Sequence, residues 1–366
     1  MVDRSKLHPY LTRPIEVKSG VAGIQRPANF LESIAENPEP LMEMANHHIV
    51  SARQFNLDRM TQVCRLAAEF EVMPHLIHKP LDGKIMINAF YEPSTRTRFS
   101  FESAWHRLGG DIITITDAGT TGMAKGESLP DIAEMFNNYG DAIVLRDSNE
   151  ASVYNMLESL RIPMVNAGNG VDEHPTQALA DIYTIFKWRP ELTSLDLPEN
   201  RRIRVGIIGT PGKMRTVRSL LLLLANVRHA IAELVVINPN REIFSAGQRE
   251  ELEAAGLNIS IADRLKDVLP ELDVVYINSI AWIGDTYETL TGDLKLSIES
   301  PLKDGAIILH PLARGDELDV SLDTTAHNWY FAQARGAVFI RMALLTTLVE
   351  RISQVLDAPQ PTAEEA

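Results

Sequence analysis

The stretch KIMINAFYEPSTRTRFSFESAWHRLGGDIITIT, from Lys84 to Thr116, decides the fold of this chain. Its two ends are short runs of β-branched and other apolar residues, which are typical of buried strands. Its middle carries apolar residues at helical intervals and ends in two glycines, as many helices do. A strand, a helix and a second strand in this order predict a βαβ unit, in which a helix joins two parallel strands.

The same alternation continues toward the C-terminus. The runs DAIVLR and PMVNAG predict further strands, a second series of strands and helices begins at IRVGIIG, and AVFIRMALLTTLVERISQVL predicts a closing helix. We therefore expect an α/β protein with two doubly wound parallel-sheet domains joined by helices. The expected divisions are an N-terminal extension at 1–45, a first domain at 46–190, a second domain at 191–325, a C-terminal helix returning toward the first domain at 326–357 and a polar tail at 358–366.

The composition excludes several classes of protein. The chain has 366 residues, and 49 acidic residues against 35 Lys and Arg give a net charge of −14, which argues against nucleic-acid binding and a basic membrane-binding surface. The segment MVDRSKLHPYLTRP lacks the apolar core of a signal peptide, so we expect a cytoplasmic location. The single cysteine, Cys64, stands among apolar residues at helical spacing, which indicates a small buried side chain rather than a nucleophile.

Polar residues follow the predicted strands of the first domain rather than preceding them. In open α/β sheets, ligands bind beyond the carboxyl ends of the strands, because loops and helix N-termini meet there. Four successive loops therefore predict one site built from cations, hydroxyls, an imidazole and an amide. The residues in these loops are Ser94, Thr95, Arg96, Thr97, Thr121, Lys125, Arg146, His174 and Gln177.

The Ser-Thr-Arg-Thr turn after the first strand favours binding of an anion. Helix capping by Ser94 or Thr95 accounts for one hydroxyl but leaves Arg96 and Thr97 unexplained. Unpaired N–H groups and the helix dipole attract negative charge to such a helix start, and an arginine offers two parallel donors to phosphate oxygens. The sequence therefore predicts a phosphate site at this turn.

The motif HPTQ adds a second kind of chemistry beside that turn. Pro175 suits the first position of a helix, which places His174 at the cap and Gln177 on the same face. One interpretation is a capping histidine with an unrelated glutamine. Next to an anion site, the pair can instead donate to and accept from an amide-like group, and we favour this interpretation.

Two nucleotide-binding patterns fail in the second domain. In GIIGTPGKMRT, Ile207 stands where a phosphate loop needs glycine, and Met214 stands where it needs Ser or Thr. The dinucleotide pattern G-x-G-x-x-G is also absent, which disfavours an NAD-dependent dehydrogenase. Arg215, at the same junction of strand and helix, is a further candidate anion contact. The sequence contains no His or Cys spacing typical of a metal site.

Several motifs together resemble one family. FYEPSTRTRFSFESAWHRLGG, DAIVLR, HPTQALADIYTI, MRTVRSL and ILHPLARGDELD with AHNWYFAQA are similar, in this order, to catalytic chains of the aspartate/ornithine carbamoyltransferase superfamily. The resemblance covers roughly 47–356. The first and third motifs are specific to the superfamily, and the last resembles its aspartate branch.

This resemblance implies transfer of a carbamoyl group from carbamoyl phosphate to the amino group of L-aspartate, a step of pyrimidine biosynthesis, with no metal and no cofactor. It implies a homotrimer of two-domain chains whose active sites are shared between subunits. Catalytic roles would fall to Arg96, Thr97, Lys125, Arg146 and His174. The residues implied to bind carbamoyl phosphate are Ser94, Thr95, Arg96, Thr97, Arg146, His174 and Gln177. Those implied to bind the acceptor are Thr121, Lys125, Arg215, Ser279 and Leu312 through its backbone.

The sequence departs from the family in its acceptor half. Family members carry Arg and Gln in a Thr-Arg-Val-Gln stretch, where this chain has Ser279 and Ala281. Thr121 replaces a serine, and Ala313 replaces the second proline of His-Pro-Leu-Pro-Arg. Loss of one guanidinium contact costs about 1.5–3 kcal/mol. An acceptor other than aspartate, used with the same donor, is therefore a second hypothesis. A non-catalytic binding or scaffold homologue is a third, disfavoured by the intact donor motifs.

Overall fold

The computed structural model describes residues 26–74, 77–240, 242–278, 294–351 and 355, and the backbone of 280–283 and 286–289. The strands are β1 Ile85–Phe90, β2 Asp111–Ile115, β3 Ala142–Asp147, β4 Met164–Asn169, β5 Ile203–Ile208, β6 Ile231–Ile237, β7 Ile259–Ala262, β8 Val274–Ile277, β9 Ile280–Ile283, β10 Thr286–Thr289 and β11 Ile307–Leu309. The α-helices are α1 Arg26–Ser33, α2 Glu39–Met42, α3 Leu57–Val72, α4 Thr95–Arg107, α5 Leu129–Tyr139, α6 Ala151–Leu157, α7 Pro175–Trp188, α8 Arg215–Asn226, α9 Gln248–Ala254, α10 Leu265–Val268 and α11 Tyr330–Leu348.

Two parallel sheets confirm the predicted fold class. The first sheet has the strand order β2-β1-β3-β4, and the second has the order β11-β8-β5-β6-β7. Within both, every neighbouring pair is parallel. β9 and β10 form a separate antiparallel hairpin after β8. β3 and β4 are buried along their whole length, as expected for strands covered by helices on both faces.

The strand order explains why polar loops gather at one point. The chain runs from β1 to β2 on one side of β1, then crosses to β3 on the other side. The connection after β1 leads toward β2, and the connection after β3 leads toward β4, in the opposite direction along the sheet. A crevice is therefore left between them at the carboxyl ends of β1 and β3. The loops after β1, β3 and β4 border this crevice, whereas the loop after β2 lies at the outer edge of the sheet.

The C-terminal helix α11 packs against α3, α4 and α7 of the first domain and also contacts β11 of the second sheet. It begins at Tyr330, inside the segment 326–357 predicted for it and before the apolar run that starts at Ala337. Gly336 stands between these two points, where α11 approaches α7 closely. A Cβ atom there would lie 3.0 Å from Tyr183 Cδ1 and 3.2 Å from Lys187 Nζ. Glycine is therefore kept inside the helix for packing.

Residues 26–45 of the predicted N-terminal extension pack against the chain itself, while residues 1–25 lie outside the described residues. The α1 side chain Phe30 is fully buried. Its ring stacks on Phe186, with centroids 6.1 Å apart, and meets Tyr183 edge-on at 6.2 Å. Arg65 of α3 also donates to the carbonyl of Ile34 at 3.2 Å. The extension thus covers the outer face of α7.

Replacing Phe30 with leucine should lower the free energy of unfolding by about 1–2 kcal/mol, because both aromatic contacts and part of the ring volume are lost. Denaturant unfolding measures this change. The control is Met42→Leu, since Met42 is 60% exposed. Equal, negligible effects of the two substitutions would contradict the packing of the extension.

Within the described ranges, no helix combines the length and the apolar character needed to cross a membrane.

Cys64 is fully buried, and burial raises the pKa of its thiol far above the usual value, with only partial opposition from Lys187. The expectation that this cysteine is a small core residue is confirmed.

Candidate active site at the carboxyl ends of β1, β3 and β4

The start of α4 is an open helix N-terminus. Ser94 takes the cap position with an extended backbone, but its side chain caps no N–H group, so the capping expected from Ser94 or Thr95 is wrong. Thr95 and Arg96 are exposed, Thr97 is buried, and the first turn holds no acidic residue. The N–H groups of this turn therefore remain available to an anion, and the helix dipole adds positive potential.

A pair of arginines, Arg146 buried and Arg215 partly buried, stands beside this helix start. Arg146, at the end of β3, is 8% exposed and donates from Nη1 to the Ala167 carbonyl at 3.2 Å. Arg215, the first residue of α8, donates from Nη1 to the Gly170 carbonyl at 2.5 Å. Both guanidinium groups surround Gly168, where an added Cβ would lie 3.1 Å from Arg146 Nη1 and from Arg215 Nε. A side chain at this position would therefore crowd the pair.

One carboxylate, Glu92, holds both arginines. Arg215 donates from Nη1 to Glu92 Oε2 at 2.9 Å and from Nη2 to Oε1 at 2.6 Å, while Arg146 Nη2 donates to Oε1. Glu92 belongs to the loop after β1 in the first sheet, and Arg215 follows β5 in the second. The ion pairs of Glu92 with the two arginines therefore link the two domains across the crevice.

The charges of the site act on one another. Burial lowers the pKa of Arg146 to about 10, Arg215 lowers it too, the Glu92 carboxylate opposes both, and Arg96 contributes a smaller decrease. Burial raises the pKa of Glu92, but Arg215 and Arg146 outweigh it and hold that pKa below its usual range. Without substrate, the site therefore holds more positively charged side chains than negatively charged ones, gathered around the ionised carboxylate of Glu92.

The start of α7 brings an imidazole and an amide to the same place. Pro175 is the first helical residue and His174 the cap, as predicted. The main-chain N–H of His174 donates to Ser219 Oγ at 2.9 Å, which fixes the histidine against α8. Burial, with Arg146 and Arg215 nearby, lowers the pKa of His174 well below its usual value, so the ring is neutral at neutral pH and has one N–H to donate. Gln177 Nε2 donates to Asp181 Oδ1 at 2.8 Å.

Sequence reasoning missed four residues of this region: Glu92, Asp181, Gln333 and Arg341. Glu92 was readable as an acid within two positions of the anion-binding turn. Arg341 was readable as a cation inside the apolar run AVFIRMALL. Arg341 is 2% exposed, its Nη1 donates to Ser100 Oγ at 2.7 Å, and burial lowers its pKa to about 9. Asp181 and Gln333 carried no sequence signal, because only tertiary packing brings them together.

The residues expected to bind the acceptor are less close together. Arg215 lies in the crevice, but Thr121 bonds locally, donating to the Ala118 carbonyl at 2.7 Å, and Lys125 is exposed. The Leu312 N–H donates to His310 Nδ1 at 2.8 Å in the loop after β11, where the Leu312–Ala313 peptide is cis. Ser279 lies outside the described residues. Among the contacts of the described residues, none joins Thr121 or Lys125 to the arginine pair of the same chain.

Across the described part of the chain, no group of three or more His, Cys, Asp or Glu side chains is placed to hold a metal ion. What the crevice offers is a helix N-terminus, one buried and one partly buried guanidinium group, a neutral imidazole and an oriented amide. Such a set can hold an oxyanion and polarise an adjacent carbonyl group.

Comparison with known proteins identifies the group to which these features belong. Residues 47–187 match the family model "Aspartate/ornithine carbamoyltransferase, carbamoyl-P binding domain", and residues 201–348 match "Aspartate/ornithine carbamoyltransferase, Asp/Orn binding domain". The aspartate carbamoyltransferase catalytic subunit of Methanopyrus kandleri is 35% identical over 317 residues, which cover 84% of this chain and 99% of that protein. The same subunit of Pyrobaculum islandicum is 37% identical over 310 residues, covering 82% and 98%.

Solved structures agree with the sequence relatives. Aspartate transcarbamoylase from Trypanosoma cruzi in complex with carbamoyl phosphate and aspartate has a TM-score of 0.72 at 30% identity, covering 84% of this chain and 98% of that one. The same enzyme in complex with N-(phosphonacetyl)-L-aspartic acid has a TM-score of 0.74 at 30% identity, covering 86% and 99%.

Proposed function

The chain belongs to the aspartate/ornithine carbamoyltransferase family, and from this premise we propose that it transfers the carbamoyl group of carbamoyl phosphate to the amino group of L-aspartate. The products are N-carbamoyl-L-aspartate and phosphate, and the reaction belongs to pyrimidine biosynthesis. The observation that carries the proposal is the uncapped start of α4 beside Arg146 and His174. The relatives are named as aspartate carbamoyltransferase catalytic subunits, so the hypothesis of another acceptor is not favoured.

The donor half of the site binds the phosphate of carbamoyl phosphate at the start of α4. Ser94, Thr95, Arg96 and Thr97 offer hydroxyl, N–H and guanidinium donors, and the open first turn supports this role. Arg96 is exposed in the substrate-free chain, so a phosphate can reach its guanidinium directly. The phosphate then meets donors on several sides without displacing a side-chain cap.

The carbamoyl group lies beside the phosphate, toward β3 and α7. Arg146, His174 and Thr97 donate to its carbonyl oxygen, and the Oε1 atom of Gln177 accepts from its NH₂ group. When the uncharged amine of aspartate attacks the carbamoyl carbon, the C–N bond forms, negative charge grows on that oxygen, and the C–O bond to phosphate breaks. Donors fixed in advance stabilise this charge. The phosphate leaves with the electron pair and can take the proton from the amine.

Aspartate binds on the second-domain side of the crevice. Arg215 binds a carboxylate of the acceptor, and the backbone at Leu312 orients it, with Ser279 assigned to the same pocket. The position of Arg215 at the first turn of α8 supports this role, because a helix N-terminus adds to its positive charge. The chain divides accordingly into a donor-binding domain at 46–190 and an acceptor-binding domain at 191–325.

We further propose a cytoplasmic homotrimer in which Thr121 and Lys125 serve the site of a neighbouring subunit. Lys125 is exposed and has no contact with the arginine pair of its own chain among the described contacts. The adjacent edge strand β2 exposes Ile113 at 46%, and Phe99 on α4 is 52% exposed. Exposed apolar residues around a sheet edge favour contact with another chain.

The test of the proposed reaction is an acceptor panel with carbamoyl phosphate, in which phosphate release and carbamoylated product are measured together. We expect equal amounts of phosphate and N-carbamoyl-L-aspartate with aspartate, and little product with ornithine or other amines. Release with another amine but not with aspartate would contradict the acceptor. No release with any amine from folded protein would contradict the catalytic function.

Shared sites are tested by mixing two defective chains. Lys125→Ala and Arg96→Ala homotrimers should each retain only a small fraction of wild-type activity. Subunits dissociated and reassembled as a mixture should regain activity, because some interfaces then combine an intact Arg96 with an intact Lys125. If both residues served the same chain's site, mixing would restore nothing. Sedimentation of the wild-type chain at three times its monomer mass is expected in the same experiment.

A further inference from the structure

A buried hydrogen-bonded path connects the two halves of the proposed site. It starts at Gln177, whose Nε2 donates to Asp181 Oδ1 at 2.8 Å. The same oxygen accepts from Gln333 Nε2 of α11 at 2.5 Å. Gln333 Oε1 accepts from the His310 N–H at 2.8 Å, and His310 Nδ1 accepts from the Leu312 N–H at 2.8 Å. The path therefore runs from the donor-binding amide to the acceptor-binding backbone.

The direction of each hydrogen bond in this path is determined by its partners. A main-chain N–H can only donate, so Gln333 must present Oε1 to His310 and Nε2 to Asp181. Above its raised pKa, Asp181 is ionised and can only accept, so Gln177 then presents its NH₂ group to it. The Oε1 atom of Gln177 is then free to face the substrate. The Asp181 carboxylate therefore determines whether each of the two glutamine amides presents its oxygen or its NH₂ group to its other partner.

The second end of the path is fixed in the same way. His310 Nε2 lies 2.8 Å from Glu317 Oε1, so this nitrogen carries the ring proton and Nδ1 is the acceptor for the Leu312 N–H. Glu317 Oε1 also accepts from the Gly315 N–H at 2.7 Å. The 310–317 loop is therefore closed around the histidine, and Gln333 ties it to α7 through Asp181.

Burial makes these orientations costly to change. Asp181 is fully buried, and Gln333 and His310 are each 1% exposed. A buried amide that loses its partner forfeits its hydration without compensation, so rotated side chains are strongly disfavoured. Burial also raises the pKa of Asp181 to about 7, opposed by the hydrogen bonds from Gln177 and Gln333.

We propose that Asp181 and Gln333 are positioning residues that hold Gln177 toward the carbamoyl group and the His310–Leu312 backbone toward the acceptor in one fixed relation. This inference rests on the proposed function, in which Gln177 and Leu312 contact the two substrates. Neither positioning residue touches substrate. Asp181 acts on the donor half through Gln177, whereas Gln333 acts on both halves because it bonds Asp181 and His310.

The test compares Asp181→Leu and Gln333→Met, which keep approximate volume but remove the hydrogen bonds. Asp181→Leu should raise KM for carbamoyl phosphate about tenfold, the equivalent of one lost hydrogen bond. Gln333→Met should raise KM for both carbamoyl phosphate and aspartate. Asp181→Asn, which keeps an oxygen for the two amides, should recover part of the loss. In a Gln177→Ala background, Asp181→Leu should add no further change in KM for carbamoyl phosphate.

Matched controls are Thr184→Val on α7 and Thr347→Val on α11. Both threonines are fully buried and bond only to a carbonyl of their own helix, at 2.8 Å, among the contacts described for them. They should lower thermal stability without changing either KM. The proposal is overturned if Asp181→Leu and Gln333→Met behave like these controls, or if the Asp181 effect persists unchanged without Gln177. If the wild-type chain shows no turnover, the proposed function fails, and calorimetric binding of carbamoyl phosphate to the same variants decides the positioning role.

Discussion

Arg96→Ala is expected to reduce kcat by about a hundredfold to a thousandfold, the range found when one preorganised donor to a transition-state charge is removed. Arg96 lies in the first turn of α4, exposed and beside the open N–H groups, so a phosphate can bind there. Its positive charge also acts on Arg146, which places both guanidinium groups in one electrostatic site. Steady-state kinetics with carbamoyl phosphate and aspartate measures the loss.

The matched control for this prediction is Arg98→Ala, two positions along the same helix. Arg98 is engaged elsewhere: its guanidinium lies 4.8 Å from the centre of the Phe99 ring and 4.0 Å from Glu102. It should retain kcat within a few-fold, and both variants should unfold at similar temperatures. A near wild-type rate for Arg96→Ala would rule out the phosphate assignment. Equal losses for the two arginines would point to helix stability rather than to binding.

Glu92→Ala is expected to lower the free energy of unfolding of the substrate-free chain by about 2–3 kcal/mol. Removing one partner of a buried ion pair costs about 3–5 kcal/mol, and the partial exposure of Glu92 reduces that figure. Two guanidinium groups, Arg146 and Arg215, would remain in the crevice without their shared carboxylate. Because the pKa of Glu92 is held low, its contribution is present above the pKa of the unfolded state and is lost as the pH falls through the lower folded value.

Two measurements separate this effect from general destabilisation. Inorganic phosphate should raise the melting temperature of Glu92→Ala more than that of the wild type, since an anion replaces the missing carboxylate. Glu134→Ala removes an exposed ion pair with Arg161 and should change stability far less than Glu92→Ala does, in either buffer. Identical phosphate responses in wild type and Glu92→Ala would contradict the role of Glu92 as the internal anion of the site.

The sequence predicted what depends on local pattern. Strands β1, β3 and β4 were readable as short apolar runs, and the position of polar residues after them followed from the geometry of parallel sheets. His174 at the cap of α7 followed from Pro175. Features that depend on contacts between distant segments were not readable. Gln333 meets Asp181 only because α11 returns from the second domain to the first, and no spacing in either helix announces that contact.

The predicted capping of α4 by Ser94 is wrong for a physical reason. Serine before a helix is usually a cap, and the propensity of Ser94 predicted one. In the fold, the side chain of Ser94 leaves the first turn open, which is the arrangement an anion site needs. A local preference is overridden at this turn, and such exceptions are expected at functional positions.

The packing of Phe30 has a practical consequence for anyone who trims the chain to its region of homology. A fragment starting at His47 would keep both family domains but lose α1, and the rings of Tyr183 and Phe186 would lose that cover. These rings stand on the same helix that carries His174 and Gln177 at its beginning. Truncation at the start of the homologous region would therefore expose apolar rings on the helix that begins at the active site. Activity lost in such a fragment would then reflect aggregation rather than missing catalytic groups.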